Sequence, residues 1–156
     1  MLALSLYIGT EHFAVPVAQV AEVLPLTGLQ AIPLAPDYIA GLLDYHGTPV
    51  PVIDLCALMT GNAHHKVLTT RMILIHYRHA QERARLLGLI AERVTETLQI
   101  PDAEIRSTGV SLHNAPYLGR VSKQADRMTQ LINADALLTD EVHQLLYQPP
   151  ASGVSA

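Results

Sequence analysis

Two prolines set two residues apart inside a β-branched run constrain this chain more than any other feature. The run is Ile39 to Leu55, IAGLLDYHGTPVPVIDL. Gly41 and Gly47 bracket a short strand pattern, and Pro49 and Pro51 then punctuate a second one built on Val50, Val52 and Ile53. Alternate residues of a strand send their N–H groups to the same side. Proline has no N–H, so the second strand begins without donors along one flank. It is expected at a sheet edge or a barrel corner, where no further strand can add to that flank. A controlled edge beside glycine turns is a natural place to present a docking surface.

With 156 residues the chain suits one domain or two tightly joined small ones. There is one Phe and no Trp, so aliphatic side chains must fill the core. No run approaches the ~20 apolar residues of a membrane-spanning helix. The first residues, MLALSLYIGTEHF, lack the basic segment and small-residue cleavage site of a signal peptide, and their alternation reads as a strand. The single Cys56 excludes an internal disulfide and suits a reducing compartment, so a cytoplasmic location is expected. Residues 1–65 hold five acids (Glu11, Glu22, Asp37, Asp44 and Asp54) and no Lys or Arg, whereas the remainder carries all ten basic residues against nine acids. A basic stripe interleaved with aromatics is missing, which argues against nucleic acid as a partner.

Along the chain, Leu2, Leu4, Leu6 and Ile8 alternate as a strand, and Phe13, Val15 and Val17 share one face of a second. The spacing of Val17, Val20, Ala21 and Leu24 predicts one or two helical turns ending before Pro25. Leu29 to Leu34 reads as a short strand, and Ala35 to Tyr38 as a turn. Leu55 to Met59 is expected to be a brief helix capped by Asp54 and closed by Gly61. Asn62 to Thr69 reads as a loop, Met72 to Tyr77 as a strand buried on both faces, and His79 to Arg85 as a hairpin tip or helical turn. Leu86 to Ile90 and Val94 to Ile100 read as separate strands, and Ile105 to Asn114 as irregular. Pro116 to Val121 reads as a turn then a strand, and Met128 to Ile132 as the last strand. Ala134 to Tyr147 is expected to be helical, leaving residues 148–156, QPPASGVSA, as a disordered tail. Many short strands with closely spaced turns predict small barrels or a sandwich rather than βαβ units. Two barrel-sized halves would meet near residues 60–70.

Motifs for chemistry are missing. GxGxxG, GxxxxGK[ST] and G-x-S-x-G do not occur, and no cofactor is expected. Cys56 lies two residues from Asp54, which opposes a thiolate. Asp44 and Asp54 are better explained as a turn residue and a helix cap than as an acid/base pair. Eight histidines raise a metal reading, with His64 and His65 adjacent and His76 and His79 three apart. That spacing does not make a zinc set, and ordinary histidines are expected.

The opening segment resembles the coupling proteins of bacterial chemotaxis, the CheW-like family. Those proteins carry a pattern of the type G-hydrophobic-hydrophobic-N-x-R-G-x-hydrophobic-x-P-hydrophobic-hydrophobic-D-L, and Gly41 to Leu55 follows it almost position by position. Upstream, Phe13 to Val17 and Val20-Ala21-Glu22-Val23 are similar to the family's first strand and the segment after it. Pro33, Pro36 and Ile39 fit the connection to the first glycine. Downstream, Leu87 to Val94, Tyr117-Leu118-Gly119, Asp126-Arg127-Met128 and Leu131 to Leu138 continue the likeness, which spans residues 2–140.

The resemblance implies a mainly β fold of two intertwined, five-stranded SH3-like barrels with short helices and a C-terminal helix, here a single domain over residues 1–147. It implies no enzymatic activity. It implies an adaptor that couples the cytoplasmic tips of chemoreceptors to a CheA-type histidine kinase, whose regulatory domain has the same fold. Such a protein would reside in arrays at the inner membrane without inserting into it, and could assemble into rings. Val20, Glu22, Val23, Asp44, His46, Gly47 and Val50 occupy positions implied to contact partners, with Gly41, Pro49, Pro51 and Asp54 as the structural motif.

Departures from the pattern set this chain apart. The usual Arg before the second Gly is His46, the usual Asn is Asp44, the Arg after D-L is Cys56, and an Asp is replaced by Glu92. Two cations are thereby lost from the first half. Arginine is a permanently charged, bidentate contact and histidine is not. A divergent member with its own cognate partners is implied, in a chemosensory system of the kind that controls surface behaviour, second-messenger synthesis or twitching instead of swimming. The rival expectation is a small-ligand or metal-sensing barrel using His64, His65 and His79.

Overall fold

A computed structural model of the chain describes residues 1–64, 69–109, 115–124 and 127–147. Ten strands dominate it: β1 (Leu2–Ile8), β2 (Glu11–Pro16), β3 (Val20–Pro25), β4 (Ile39–Tyr45), β5 (Thr48–Asp54), β6 (Arg71–Tyr77), β7 (Arg85–Gln99), β8 (Ile105–Ser107), β9 (Leu118–Gln124) and β10 (Arg127–Ile132). Two short helices, α1 (Leu55–Thr60) and α2 (Asp140–Leu146), complete the set.

The strands form two groups that exchange chain. In the first, β8, β9, β10, β2 and β1 pair in that order, and β1 then pairs with the second half of β7. In the second, β3 pairs with β6, β6 with the first half of β7, β7 with β5, and β5 with β4. The chain therefore leaves the first group at the 3-10 turn Val17–Gln19 and returns to it inside β7. That double crossing replaces the single junction expected near residues 60–70, because β5, α1 and β6 all belong to the second group. Mainly β architecture with two intertwined strand groups is as expected.

Alternation along the strands divides the core into three. Leu43, Val50, Val52, Met72, Leu74 and Ile90 fill the second group's interior. Ala3, Ala14, Ile100 and Leu131 line the first group's interior. The largest cluster lies between the groups and joins Leu4, Leu6, Phe13 and Val15 to Ile53, Leu55, Ile73, Ile75, Leu87 and Leu89. In β6, Met72 and Leu74 enter one cluster while Ile73, Ile75 and Tyr77 enter another, so this strand is buried on both faces as its continuous apolar run implies.

Several local expectations are corrected. Val20 to Leu24 is strand, not helix: after the 3-10 turn, β3 alternates half-buried Val20, Glu22 and Leu24 with exposed Ala21, Val23 and Pro25. Leu29 to Leu34 forms no strand beyond one bridge from Gln30 to Leu42, for Pro33 lacks a donor and Leu34 takes φ 63°. The two strands expected at 86–100 are one strand of 15 residues. Arg93 takes φ 50° there, and Ser5 pairs with Glu96 while Tyr7 pairs with Glu92, so a bulge in β7 resets the alternation. Part of the irregular 105–114 segment is β8; residues 110–114 lie outside the described residues. The C-terminal helix is divided by two caps. Asn133 caps a 3-10 turn at Ala134–Ala136, and Thr139 accepts from the Val142 N–H at 3.2 Å to start α2. The expected tail, residues 148–156, also lies outside the described residues.

Candidate functional site

The proline-bearing hairpin β4–β5 turns through His46 and Gly47, with φ 52° and 87°. Tyr45 pairs with Thr48 across this two-residue turn. Asp44 fixes the turn by accepting from the Gly47 N–H at 2.8 Å. Pairs then alternate between hydrogen-bonded and non-hydrogen-bonded along the hairpin. Pro49 faces Asp44 and Pro51 faces Leu42, the positions whose N–H groups would point away from β4. On that outer side β5 acquires its second partner, β7, only from Val52 onward. The donor-free flank is thus a corner, as the sequence implies. A cleft of about 600 Å³ opens along it, lined among others by Leu42, Pro49, Pro51, Arg85, Leu146 and Tyr147.

Gly41 is fixed by crowding. It has φ 146°, and a Cβ there would stand 2.6 Å from the Gln30 carbonyl oxygen. Its absence lets the 29–30 segment lie against β4, where Gln30 and Leu42 exchange two backbone hydrogen bonds of 2.8 and 3.0 Å.

The residues proposed for partner contact divide by burial. Asp44, His46 and Gly47 are exposed at the turn, with the His46 ring 4.5 Å from the Tyr45 ring. Glu22 and Val20 are half-buried on β3, and Val23 is 41% exposed. The Tyr45 hydroxyl donates to Glu22 Oε1 at 2.9 Å, connecting the turn to β3. That hydrogen bond, then loss of solvent, then the carboxylate's charge push the Tyr45 phenol above its ordinary value. Val50 is different. At 1% exposure its side chain packs inside the second core, so its role in the fold is packing, although it borders the cleft beside Pro49 and Pro51.

Asp54 is a buried cap. Its carboxylate accepts from the N–H groups of Cys56 (3.0 Å) and Ala57 (3.3 Å), from the His64 N–H at 3.0 Å, and lies 2.7 Å from His64 Nδ1. One aspartate therefore starts α1 and ties down the chain after it. Burial is the main cause that raises the Cys56 thiol above its ordinary value, with the Thr60 hydrogen bond opposing and the charges of Glu92 and Asp54 adding, which disfavours a thiolate.

Among the described residues, the histidines of the rival reading, His64 and His79, serve different places. His64 serves Asp54, and His65 lies outside the described residues. His79 instead sits at the β6–β7 tip beside Glu82 and the α2 residue His143. A second group that sequence reasoning missed is inside the first core, where His12 Nε2 is 2.6 Å from Ser5 Oγ and His12 Nδ1 is 2.6 Å from Thr129 Oγ1. His12 reads as a turn residue by its Gly-Thr-Glu neighbours. Its alternation with Ala14 was the available signal that it points inward.

Comparison with known proteins places this geometry in context. The family described as CheW-like domain matches residues 2–142. The chemotaxis protein CheW of Helicobacter pylori is 26% identical over 84% of this chain and 77% of its own length. The CheW of Bacillus subtilis is 26% identical over 88% and 86%, and that of Rhizobium meliloti 28% over 86% and 84%. The crystal structure of the scaffolding protein TtCheW from Thermoanaerobacter tengcongensis superposes with a TM-score of 0.78 at 22% identity, covering 90% of this chain and 89% of that one.

Proposed function

This chain belongs to the CheW-like domain family, and on that premise we propose that it is a non-enzymatic adaptor that couples chemoreceptor cytoplasmic tips to a CheA-type histidine kinase. The chemotaxis proteins to which it is similar along most of its length support that reading. No helix among the described residues is long and apolar enough to cross a membrane, and the proposed location is the cytoplasmic side of a receptor array.

The observation that carries the proposal is the linked edge of the second strand group. β3 and β4 are its two terminal strands, each with one strand partner. Strands at sheet ends present backbone groups that a partner can use, although on β4 those of Leu42 are already taken by Gln30. Here the two ends are joined side chain to side chain by Tyr45 and Glu22, with Val23, Asp44 and His46 exposed around them. The surface is apolar at Val23 and acidic at Asp44, and residues 1–65 supply no Lys or Arg. A partner with an apolar rim and a compensating cation fits it. Unlike contact faces on such an adaptor would propagate into rings or arrays.

Co-purification with the cognate kinase regulatory domain and with a receptor tip fragment tests the proposal. Both should be retained by the native chain. Val23→Asp and Asp44→Lys should each weaken at least one of them by about tenfold or more. Retention of neither partner by the native chain overturns it.

A further inference from the structure

The tip of the β6–β7 hairpin meets α2 through a cluster that the adaptor reading does not use. His79 and Glu82 come from the tip, and His143 and Asp140 from the helix. One potential ligand atom from each of His79, Glu82 and His143 lies within 4.8 Å of the others. His143 Nε2 is 2.7 Å from Glu82 Oε2, and His79 Nε2 is 3.1 Å from Asp140 Oδ1. On the other side of both rings stands one phenol. The Tyr77 hydroxyl is 3.1 Å from His143 Nδ1 and 3.4 Å from His79 Nδ1. Each imidazole therefore has Nδ1 facing the Tyr77 hydroxyl, whose one proton can serve only one ring at a time, and Nε2 turned toward a carboxylate.

We propose that His79, Glu82 and His143 form a binding site for a divalent transition metal of the Zn²⁺ class. Two imidazoles and a carboxylate are a donor set for such an ion and a poor one for Mg²⁺ or Ca²⁺, which take oxygen ligands. The Tyr77 contact orients the His143 ring, as groups behind metal-bound histidines do. Glu82 and Asp140 supply the negative charge to balance a dication. Arg85 Nη2 stands 4.0 Å from Glu82 Oε1, and Oε2 accepts from His143 Nε2–H, so an ion would take Oε2 and Nε2 by displacing that one proton.

Binding requires two changes: the hydrogen bond between His143 Nε2 and Glu82 Oε2 must lose its proton and open, and one imidazole must turn. The two imidazoles are stacked 3.9 Å apart at 16°, and the in-plane lone pairs of parallel rings do not converge on one ion. His79 is the ring that turns. Its side chain is the more exposed, and its carboxylate partner Asp140 is at the surface. His143 is buried between Glu82 and Tyr77 and stays fixed. The ion would then pin the hairpin tip to α2. Those two elements also supply Arg85, Leu146 and Tyr147 to the cleft beside Pro49 and Pro51, so metal would set the shape of that wall.

The test uses the full chain stripped with chelator and titrated with ZnCl₂ by calorimetry, and with Co²⁺ by visible absorption. One ion per chain is expected, with the intense visible bands of tetrahedral cobalt and a melting midpoint that rises on adding Zn²⁺. His79→Gln and Glu82→Gln, both at the tip and checked for folding by circular dichroism, should each lower affinity by about tenfold or more. His64→Gln should leave it unchanged. The proposal is overturned if the native chain binds no stoichiometric Zn²⁺, if His79→Gln and Glu82→Gln bind as tightly as the native chain, or if His64→Gln is the variant that loses the ion. None of these readouts depends on the adaptor function.

Discussion

The Tyr45 hydroxyl and the Glu22 carboxylate, 2.9 Å apart, join the two terminal strands of one sheet. The phenol donates, so the hydrogen bond exists only while Tyr45 is neutral. Its ionisation lies above the ordinary value, chiefly because of that bond. The contribution is therefore complete below about pH 10 and is lost as pH rises through the elevated value. In an ultraviolet titration of phenolate, Glu22→Gln should move one tyrosine to earlier ionisation than in the native chain. Superimposable curves would show that Glu22 does not hold the phenol.

Crowding at Gly41 gives a second expectation. Alanine there meets the Gln30 carbonyl oxygen and an unfavourable φ, whereas alanine at Gly47 meets no atom within 4 Å. Gly41→Ala should cost about 1–3 kcal/mol, and more than Gly47→Ala, which carries backbone strain alone at about 1 kcal/mol. Urea denaturation of the two variants checks the order, and the reverse order rejects the close approach as its cause.

Asp54 carries three backbone donors and the His64 ring. Asp54→Ala should cost about 2 kcal/mol, the upper end for a helix cap, because a second segment is released with the first. Asp54→Asn keeps an oxygen acceptor and should cost less. Equal losses would mean that charge, not hydrogen bonding, matters at this position.

Two buried histidines make stability depend on pH. His12 is held below its ordinary value by burial and then by Arg127, with Glu96 opposing. Burial and then the charge of His79 lower His143, with Arg85 adding and Glu82 opposing. Each is kept neutral in the fold, so its contribution is present above about pH 6.5 and is lost as pH falls through the lowered value. Denaturation midpoints should fall between about pH 7 and about pH 5, with a shallower fall in His12→Asn. Identical slopes would remove His12 as a cause.

Restoring a donor to the corner should promote self-association. Pro49 is exposed, and Pro49→Thr returns an N–H to the outer flank of β5. Sedimentation should show more association for Pro49→Thr than for the native chain. Unchanged sedimentation would mean that the flank is protected by something other than proline.

Legibility in the sequence followed the cause of each element. Strands with a clean period of two, and the Asp54 cap, were readable because neighbours in the chain determine them. β3 was not, since Val17, Val20, Ala21 and Leu24 coincide with helical spacing while the pairing with β6 is remote. β7 looked like two strands because a bulge at Arg93 interrupts its alternation. The turn at Asp44 to Gly47 was legible from its residue types. Burial of Val50 and of His12 was not, for it depends on which face each strand turns inward. The cluster of His79, Glu82 and His143 spans 61 residues between Glu82 and His143 and exists only through packing.

β7 runs unbroken for 15 residues, roughly 50 Å of extended chain, first beside β6 and then beside β1. No slack tether separates the two bodies that it serves. A twist imposed on either strand group would have to pass along the common ribbon into the other, because the same backbone is a strand of both.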